Sequence, residues 1–201
     1  MEINSVLSTA YRGILEQKTH ILTKGNEAII IDAGADIEDI KPFVEGKKVL
    51  AVLVTHLHFD HIWFIEEYLK EFGCDVYIVA GAEDKFGSAN LNCSYLLRLD
   101  MTFSVNKEKI KYLSEKLKIG SFDISVIFTP GHSADSVCYL IEKNLFCGDL
   151  VLGGSIGRTD LYDSSDIQME QSLEKLKYLD FDMAYPGHYE PMSKEQVLKS
   201  I

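Results

Sequence analysis

The first third of the chain alternates between short runs of apolar, β-branched residues and short turn-forming stretches. The runs predict strands in the segments INSVLST, THILT and EAIIID. The turn-prone DAGAD comes next, and DIEDIKPFVEGK then predicts a short helix, with Pro42 the main objection to a long one. The segment KVLAVLVTH is apolar almost throughout, which is typical of a strand covered on both faces.

The pattern changes from strand to helix close to His61. The segment IWFIEEYLKEF carries apolar residues at helical spacing from Ile62 to Phe72, so it predicts a helix that begins at this point. VYIVA then predicts another buried strand. Residues 81–108 follow neither period, and we expect them to loop over the surface.

The second half of the chain is again rich in strands and again ends in helices. Short strands are predicted in KIKYLS, KLKIG, FDISVIFTP, SVCYLIE, NLFCGDL and DMAYPGH. Residues 166–178 predict an amphipathic helix, and MSKEQVLKSI predicts a last helix that Ser193 would cap. Two strand-rich halves with helices predict an α+β fold of packed sheets, and without repeats or linkers we expect one domain over residues 1–201.

Composition narrows the class of protein. With 46% hydrophobic and 25% charged residues the chain resembles a soluble globular protein. The net charge of −11 argues against a nucleic-acid partner, because phosphate binding needs clustered Lys and Arg. No export signal is visible and no apolar run approaches about 18 residues, so neither export nor a membrane partner is expected. The four cysteines form no C-x-x-C pair, and we expect reduced thiols in a cytoplasmic protein.

Three of the six histidines crowd into the seven residues THLHFDH, together with a carboxylate. His56, His58 and Asp60 alternate, so in extended backbone their side chains point the same way. His61 follows at the predicted start of a helix. Desolvating these groups together is costly unless a metal cation is present. The stretch therefore predicts a metal site.

Three more residues of ligand type follow strands elsewhere in the chain. His132 and His188 each come directly after a Pro-Gly turn, and Asp149 ends the strand NLFCG. Loops at strand ends are where a rigid sheet carries function. Seven N and O ligands exceed the four that one zinc takes and suit two metals that share a ligand. Zn²⁺ fits this imidazole-rich set best, while Fe²⁺ and Mn²⁺ are compatible with it. His20 matches no motif and is expected to be structural.

The motifs together resemble those of the metallo-β-lactamase-fold hydrolases, and within them the glyoxalase II-like (hydroxyacylglutathione hydrolase-like) group. The resemblance spans roughly residues 19–190. It rests on IDAG at 31–34, THLHFDH at 55–61, TPGHS at 129–133, GDL at 148–150, GRTD at 157–160 and PGH at 186–188. It implies an αββα four-layer sandwich with a dinuclear site at one edge of the sheets.

The resemblance also implies a role for each candidate ligand. One metal would be held by His56, His58 and His132. The second would be held by Asp60, His61 and His188, and Asp149 would bridge the two. A metal-bridging hydroxide would attack an acyl carbonyl, and Asp60 would also act as the catalytic residue that orients or deprotonates this nucleophile.

Other residues have weaker signals. Asp32, in IDAG, would support the ligands through hydrogen bonds or serve only as a turn residue. Arg158 and Asp160, in GRTD, would form an ion pair that shapes the site wall or would contact substrate. Tyr189 would line the pocket or pack at its rim. Residues 88–98 would form part of the substrate wall.

The implied activity is hydrolysis of a small thioester or related acyl substrate, and two alternatives stay open. Glyoxalase II enzymes continue into a helical domain that helps to hold glutathione, whereas this sequence ends thirteen residues after His188. Glutathione is therefore not assigned as part of the substrate. The alternatives are a persulfide dioxygenase-like oxidoreductase with one iron, and a non-catalytic metal-binding protein. The Asp149 pattern and the lack of an export signal argue against a β-lactamase, and the negative charge argues against a nuclease.

Overall fold

The computed structural model describes residues 1–8 and 15–201, and its first half forms a six-stranded sheet. The strands lie side by side in chain order: β1 (Glu2–Leu7), β2 (Lys18–Lys24), β3 (Glu27–Ile31), β4 (Lys48–Leu53), β5 (Asp75–Ile78) and β6 (Ile110–Tyr112). Strands β1 to β3 pair antiparallel, and β3 to β6 pair parallel. The carboxyl ends of β3 and β4 therefore meet at the same edge.

The second half forms another six-stranded sheet. Its strands are β7 (Lys116–Ile119), β8 (Phe122–Phe128), β9 (Val137–Ile141), β10 (Asn144–Gly148), β13 (Met183–Pro186) and β14 (Met192–Ser193), in the spatial order β14-β13-β10-β9-β8-β7. The pair β10 and β13 is parallel, while the other pairs are antiparallel. A separate small hairpin joins β11 (Val151–Leu152) to β12 (Ser155–Ile156).

Helices cover the outer face of each sheet. The α-helices are α1 (Ile37–Val44), α2 (Ile65–Phe72), α3 (Asp166–Leu176) and α4 (Lys194–Lys199), and short 3₁₀ helices lie at Glu83–Gly87, Ser94–Leu97 and Lys107–Lys109. Helices α1 and α2 pack on the first sheet, and α3 and α4 pack on the second. Within the described ranges no helix has the length and apolarity needed to cross a bilayer.

The core divides into three layers because each sheet buries both faces. The layer between the sheets includes Ile29, Leu53, Phe122 and Phe146, and the outer layers lie under the helices. Strands covered on both faces read as continuous apolar runs, which explains the pattern of KVLAVLVTH. The arrangement is the predicted αββα four-layer sandwich, and the prediction of fold class is confirmed.

The structure corrects two sequence-based expectations and agrees with a third. Helix α2 begins at Ile65 rather than near His61, because the main chain before it bonds to a neighbouring loop. His61 O accepts from Ala33 N at 2.7 Å, and Phe64 N donates to Ala33 O at 2.8 Å. Residues 81–108 include two 3₁₀ helices and the start of a third, so they are not a plain loop. Helix α1 is short, as predicted, and ends two residues after Pro42.

Candidate metal centre

The candidate ligands meet in the loops that follow four strands. The loop after β4 carries His56, His58, Asp60 and His61, while the second sheet contributes Asp149 after β10 and the other two histidines after β8 and β13. Because β10 and β13 are parallel neighbours, the residues after them emerge at the same edge. The structure thus brings all seven candidate ligands together, although they span more than half of the chain.

Three buried histidines form the first ligand trio, namely His56, His58 and His132. One ligand atom from each lies within 4.8 Å of the others. The His58 Nδ1 atom is 3.0 Å from His132 Nε2, and the rings of His56 and His58 have centroids 4.5 Å apart. We call this group the histidine trio.

Asp60, His61 and His188 form the second group, which we call the mixed trio. Its ligand atoms also lie within 4.8 Å of one another. The His188 Nε2 atom is 3.2 Å from Asp60 Oδ2, and His61 Nε2 is 3.8 Å from the same oxygen. One carboxylate and two imidazoles are a ligand set that suits zinc, iron and other transition metals.

Asp149 lies between the two trios. Its Oδ1 atom is 3.3 Å from His61 Nε2 of the mixed trio. Its Oδ2 atom is 3.5 Å from His132 Nε2 of the histidine trio and 3.6 Å from His188 Nε2. One carboxylate therefore reaches both groups.

Unpaired buried atoms support a metal at this cluster. In residues 1–8 and 15–201, five buried side-chain N or O atoms lack a hydrogen-bond partner. Four of the five belong to the cluster: His56 Nε2, His58 Nε2, His61 Nε2 and Asp149 Oδ1. Leaving so many polar atoms unsatisfied in one place is costly, and a metal ion satisfies such donor atoms. The His/Asp cluster fits a metal site.

The electrostatics differ between the two trios. Burial lowers the pKa of His56 and of His58 well below the usual range, and neighbouring histidines lower it further. These imidazoles are neutral at pH 7, so each has a nitrogen lone pair that can bind a metal. A neutral imidazole is the form that binds a metal.

Around the mixed trio the electrostatic field stabilises positively charged groups. Burial alone would lower the pKa of His61 and of His188, but nearby carboxylates, including Asp60 and Asp149, raise both above the usual value. Conversely, burial would raise the pKa of Asp60 and of Asp149, and the adjacent histidines lower it. A bound cation would supply the positive charge that these carboxylates stabilise.

Asp32 orients one of the ligands. The His61 Nδ1 atom donates to Asp32 Oδ2 at 2.8 Å, which directs Nε2 toward the cluster. Asp32 is held in turn by Thr55, whose main-chain N–H donates to Oδ1 at 2.7 Å and whose hydroxyl donates to Oδ2 at 2.9 Å. Asp32 therefore has the supporting contact that its motif predicts, while Thr55 was not singled out from the sequence.

Arg158 and Asp160 form the ion pair that the GRTD motif suggests. Arg158 Nε and Nη2 donate to the two carboxylate oxygens of Asp160 at 2.6 and 2.8 Å. The main chain of Arg158 also reaches the site, because its carbonyl oxygen accepts from His132 Nδ1 at 2.9 Å. The pair therefore lies beside a candidate ligand, and its role in the site wall or in substrate contact stays a prediction.

Tyr189 directly follows a ligand and has an unusual backbone. Its φ of 67° is left-handed, as is the φ of 63° at Asp32. Such conformations are uncommon for non-glycine residues and cluster at functional sites. The ring of Tyr189 lies against Gly153 and is largely exposed, so it forms a rim beside the β11–β12 hairpin. Residues 88–98, the other predicted wall segment, include the 3₁₀ helix Ser94–Leu97.

The glycine of the second Pro-Gly-His turn is required by close approach. A Cβ at Gly187 would lie 2.4 Å from His61 Cε1 and 2.5 Å from Asp149 Oδ1. Both distances are well inside van der Waals contact, so a larger residue would displace two candidate ligands. The turn thus places His188 while leaving room for its neighbours.

A buried charged group beside the centre was missed from the sequence. The Lys85 ammonium lies 2.7 Å from Asp135 and 2.5 Å from Asp163. Lys85 falls in the segment that has no clear pattern, and a lone lysine carries no sequence signal for burial. Asp135 lies within the stretch TPGHSADS, where attention falls on the histidine.

Comparison with known proteins is decisive at the level of the family. The model of the metallo-beta-lactamase superfamily matches residues 14–188. The chain belongs to this superfamily. Metallo-beta-lactamase superfamily proteins bind divalent metals, in agreement with the cluster described above. The predicted resemblance is therefore confirmed.

Curated members of the superfamily include relatives at about 30% identity. A probable metallo-hydrolase, YqgX of Bacillus subtilis (strain 168), is 31% identical, over 88% of this chain and 86% of its own length. A hydroxyacylglutathione hydrolase of Francisella philomiragia is 30% identical over 87% of this chain, which spans only 63% of that protein.

Solved metallo-beta-lactamase superfamily structures agree with the fold. The crystal structure of BLEG-1 B3 metallo-beta-lactamase has a TM-score of 0.88 and 29% identity, covering 97% of this chain and 95% of that one. The structure of TTHA1623 in a di-iron-bound form has a TM-score of 0.83 and 24% identity, covering 98% of each chain. The second likeness concerns the fold alone.

Proposed function

We propose that this protein is a dinuclear metal-dependent hydrolase that cleaves a thioester or a related acyl bond. The observation that carries the proposal is the position of Asp149, whose two oxygens lie within 3.6 Å of ligand atoms from both trios. A carboxylate so placed is suited to bridge two ions. The histidine trio would hold one ion and the mixed trio the other.

The chemistry follows from the groups around this bridge. Two bound divalent ions would lower the pKa of a coordinated water toward neutrality and polarise an acyl carbonyl. Asp60 is the proposed catalytic residue, because its carboxylate can orient the water or accept its proton. Asp32 keeps the Nδ1 proton of His61 in place, so that Nε2 stays free for the metal.

The substrate class is supported by the curated relatives. Hydroxyacylglutathione hydrolases are among the relatives at about 30% identity, and their name denotes thioester hydrolysis. The chain spans 63% of the Francisella protein, so glutathione is not assigned as part of the substrate. The proposed partner is a small acyl compound rather than a nucleic acid or a membrane. Four buried free cysteines suit a reducing compartment, and we propose the cytoplasm.

Metal analysis with parallel assays tests the proposal. The purified protein would be analysed for zinc, iron and manganese, since the TTHA1623 structure contains two irons. The metal-loaded form would be assayed for S-lactoylglutathione hydrolysis, for oxygen uptake with glutathione persulfide, and for hydrolysis of a β-lactam. We expect two metal equivalents, Zn²⁺ in the first instance, with thioester hydrolysis.

Each other outcome points to a different class of protein. One iron with oxygen consumption would indicate a persulfide dioxygenase-like oxidoreductase. Turnover of the β-lactam alone would indicate an activity like the one named for BLEG-1. Loaded protein without turnover of any ester or thioester would indicate a non-catalytic metal-binding protein. All three results contradict the proposed function.

The variant Asp149→Ala tests the bridge. We expect it to lose metal and activity together, with hydrolysis falling by more than about 100-fold, beyond the usual effect of an outer-shell partner. Metal content and kcat/KM would be measured on the same preparation. The matched control is Asp123→Ala, an aspartate on the surface that pairs with Lys118. Full activity with two bound ions in Asp149→Ala would rule out bridging.

A further inference from the structure

Lys85 is a buried lysine whose ammonium group is fully engaged beside the metal centre. It lies in the 3₁₀ helix Glu83–Gly87 and is only 5% exposed. Its Nζ atom donates to Ser133 Oγ at 2.5 Å and reaches Asp135 Oδ1 at 2.7 Å and Asp163 Oδ2 at 2.5 Å. These three contacts use the three N–H donors of an ammonium. We call these four residues the Lys85 cluster.

Burying this charge costs free energy of desolvation, which suggests that the lysine has a specific role. Burial alone would lower the pKa of Lys85, but the carboxylates of Asp135 and Asp163 raise it above its usual value. The lysine is therefore charged at neutral pH. A buried ion pair of this kind rarely stabilises a fold more than an apolar residue would. Its value lies in the geometry that it imposes.

The Lys85 cluster reaches the main chain on one side of His58 directly. Asp135 uses its Oδ1 atom for the ammonium and its Oδ2 atom to accept from Leu57 N at 2.9 Å. Leu57 lies between the first two ligands of the histidine trio. The carboxylate thus connects the lysine to the peptide that precedes His58.

The main chain of Lys85 reaches the other side of His58 through Asn92. Phe59 N donates to Asn92 O at 2.8 Å, and Asn92 Nδ2 donates to Lys85 O at 3.2 Å. Asn92 is fully buried. The N–H groups of the residues before and after His58 are therefore both tied to Lys85.

The same cluster also holds the chain beside the third ligand. Ser133 directly follows His132 and bonds to the Lys85 ammonium, and its hydroxyl also contacts Asp135 Oδ1 at 2.6 Å. His58 and His132 are the pair whose ring nitrogens lie 3.0 Å apart. One buried lysine thereby connects the two loops that supply these ligands.

The mixed trio is supported by different contacts. His61 is oriented by Asp32, as described above. The turn that carries His188 is fixed by main-chain bonds of Gly187, whose N donates to Gly148 O at 2.8 Å and whose O accepts from Lys18 N at 2.7 Å. These contacts of the mixed trio do not involve Lys85, although the Thr55 hydroxyl that holds Asp32 also lies 3.2 Å from His56 Nδ1.

We propose that Lys85 is a positioning residue for the histidine trio, holding His58 and His132 at the spacing that one metal ion requires. Removing its ammonium would loosen this half of the centre and leave the mixed trio largely intact. The inference rests on the proposed two-metal function and adds a residue outside the ligand set to it.

Site-resolved metal binding of Lys85→Met tests the proposal. Metal-free protein would be titrated with Zn²⁺ against a chromophoric chelator, and cadmium NMR would distinguish the nitrogen-rich site of the histidine trio from the mixed site. We expect the histidine trio to lose about 10- to 100-fold in affinity, as is typical when a residue that orients a metal ligand is removed, with the other site unchanged. The control Lys118→Met removes a lysine whose ion pair with Asp123 is exposed. Asp32→Asn should weaken the mixed trio instead.

A second variant covers the case in which Lys85→Met does not fold. Asp135→Asn preserves the shape of the side chain while weakening its contact with the ammonium, and it should shift the same site in the same direction. Equal loss at both sites, or unchanged affinity in the folded variants, would overturn the inference alone. A wild-type protein that binds a single ion would overturn the proposed function as well, so the two failures are distinguishable.

Discussion

At the scale of single residues, His20 shows what a buried histidine outside the metal centre does. Its Nδ1 atom accepts from Ser5 Oγ at 2.8 Å, and its Nε2 atom donates to Pro186 O at 3.0 Å. The ring packs against Phe146 and Tyr185. His20 thus connects the first sheet to the strand that leads into the second Pro-Gly-His turn, a structural role.

The pH dependence of stability should report this histidine. Burial lowers the pKa of His20 from 6.5 to about 4, so the unfolded chain takes up the proton first as the pH falls. The contribution of neutral His20 to the free energy of unfolding is fully present above pH 6.5. It is lost as the pH falls to about 4, a change of about 3 kcal/mol. In His20→Gln this part of the pH dependence of the free energy of unfolding should be absent. Urea unfolding of both metal-free proteins at several pH values measures it, and parallel curves would contradict the assignment.

The roles of site residues could be predicted from the sequence only where the chain places these residues close together or in a motif. The spacing of THLHFDH indicates a metal by itself, and the Pro-Gly-His turns add to it. Lys85 offers no such signal, because its partners Ser133, Asp135 and Asp163 lie far along the chain. Only folding brings them together, so the support of the histidine trio could not be predicted.

At the scale of elements, helix α4 carries a capping box at its amino terminus. Ser193 Oγ accepts from Gln196 N, and Gln196 Oε1 accepts from Ser193 N at 2.8 Å, which completes a capping box. The sequence predicted this cap, and the structure confirms it. The helix has only six residues, so its few internal hydrogen bonds give it little stability of its own.

Removal of the cap should destabilise the protein measurably. Ser193→Ala leaves the Gln196 N–H without its side-chain acceptor, and we expect a loss of about 1 kcal/mol in the free energy of unfolding. Denaturant unfolding measures the change. The control is Ser155→Ala, whose hydroxyl lies on the exposed β11–β12 hairpin and should matter by only a few tenths. Equal effects of the two substitutions would show that the cap is not what stabilises α4.

Element boundaries were less predictable than element types. Apolar periodicity placed α2 correctly in the chain but too early, since the pattern at Ile62 continues the core packing without the helix. The loop residues before Ile65 use their main-chain groups to bond Ala33 instead. The short strand β14 and the hairpin β11–β12 have two residues per strand, too few for any period to appear.

At the scale of the molecule, the three core layers should keep the fold without metal. Their residues are apolar side chains on strands and helices, and the candidate ligands lie in the loops beyond them. Folding is therefore driven by burial that does not involve the centre. We therefore expect metal binding to add stability to a chain that is already folded.

Metal removal tests this view. After chelation, the far-UV circular dichroism should stay that of the folded protein. Adding Zn²⁺ at 100 times its dissociation constant should stabilise the fold by about 2.7 kcal/mol per site, which corresponds to a rise in Tm of about 5–10 °C. Scanning calorimetry with and without zinc measures the rise, and Asp149→Ala should lose most of it. A metal-free chain without native secondary structure would contradict the prediction.

The distribution of ligands between the sheets has a consequence for the timing of synthesis. Each trio draws two ligands from the loop after β4 and the third from the second sheet, which also supplies Asp149. A nascent chain that has emerged only as far as its first sheet offers two donors for each ion, too few to retain it. The histidine trio is therefore complete only after His132 has left the ribosome, and the mixed trio only after His188 has. Loading of both sites then requires that the two sheets have both been synthesised.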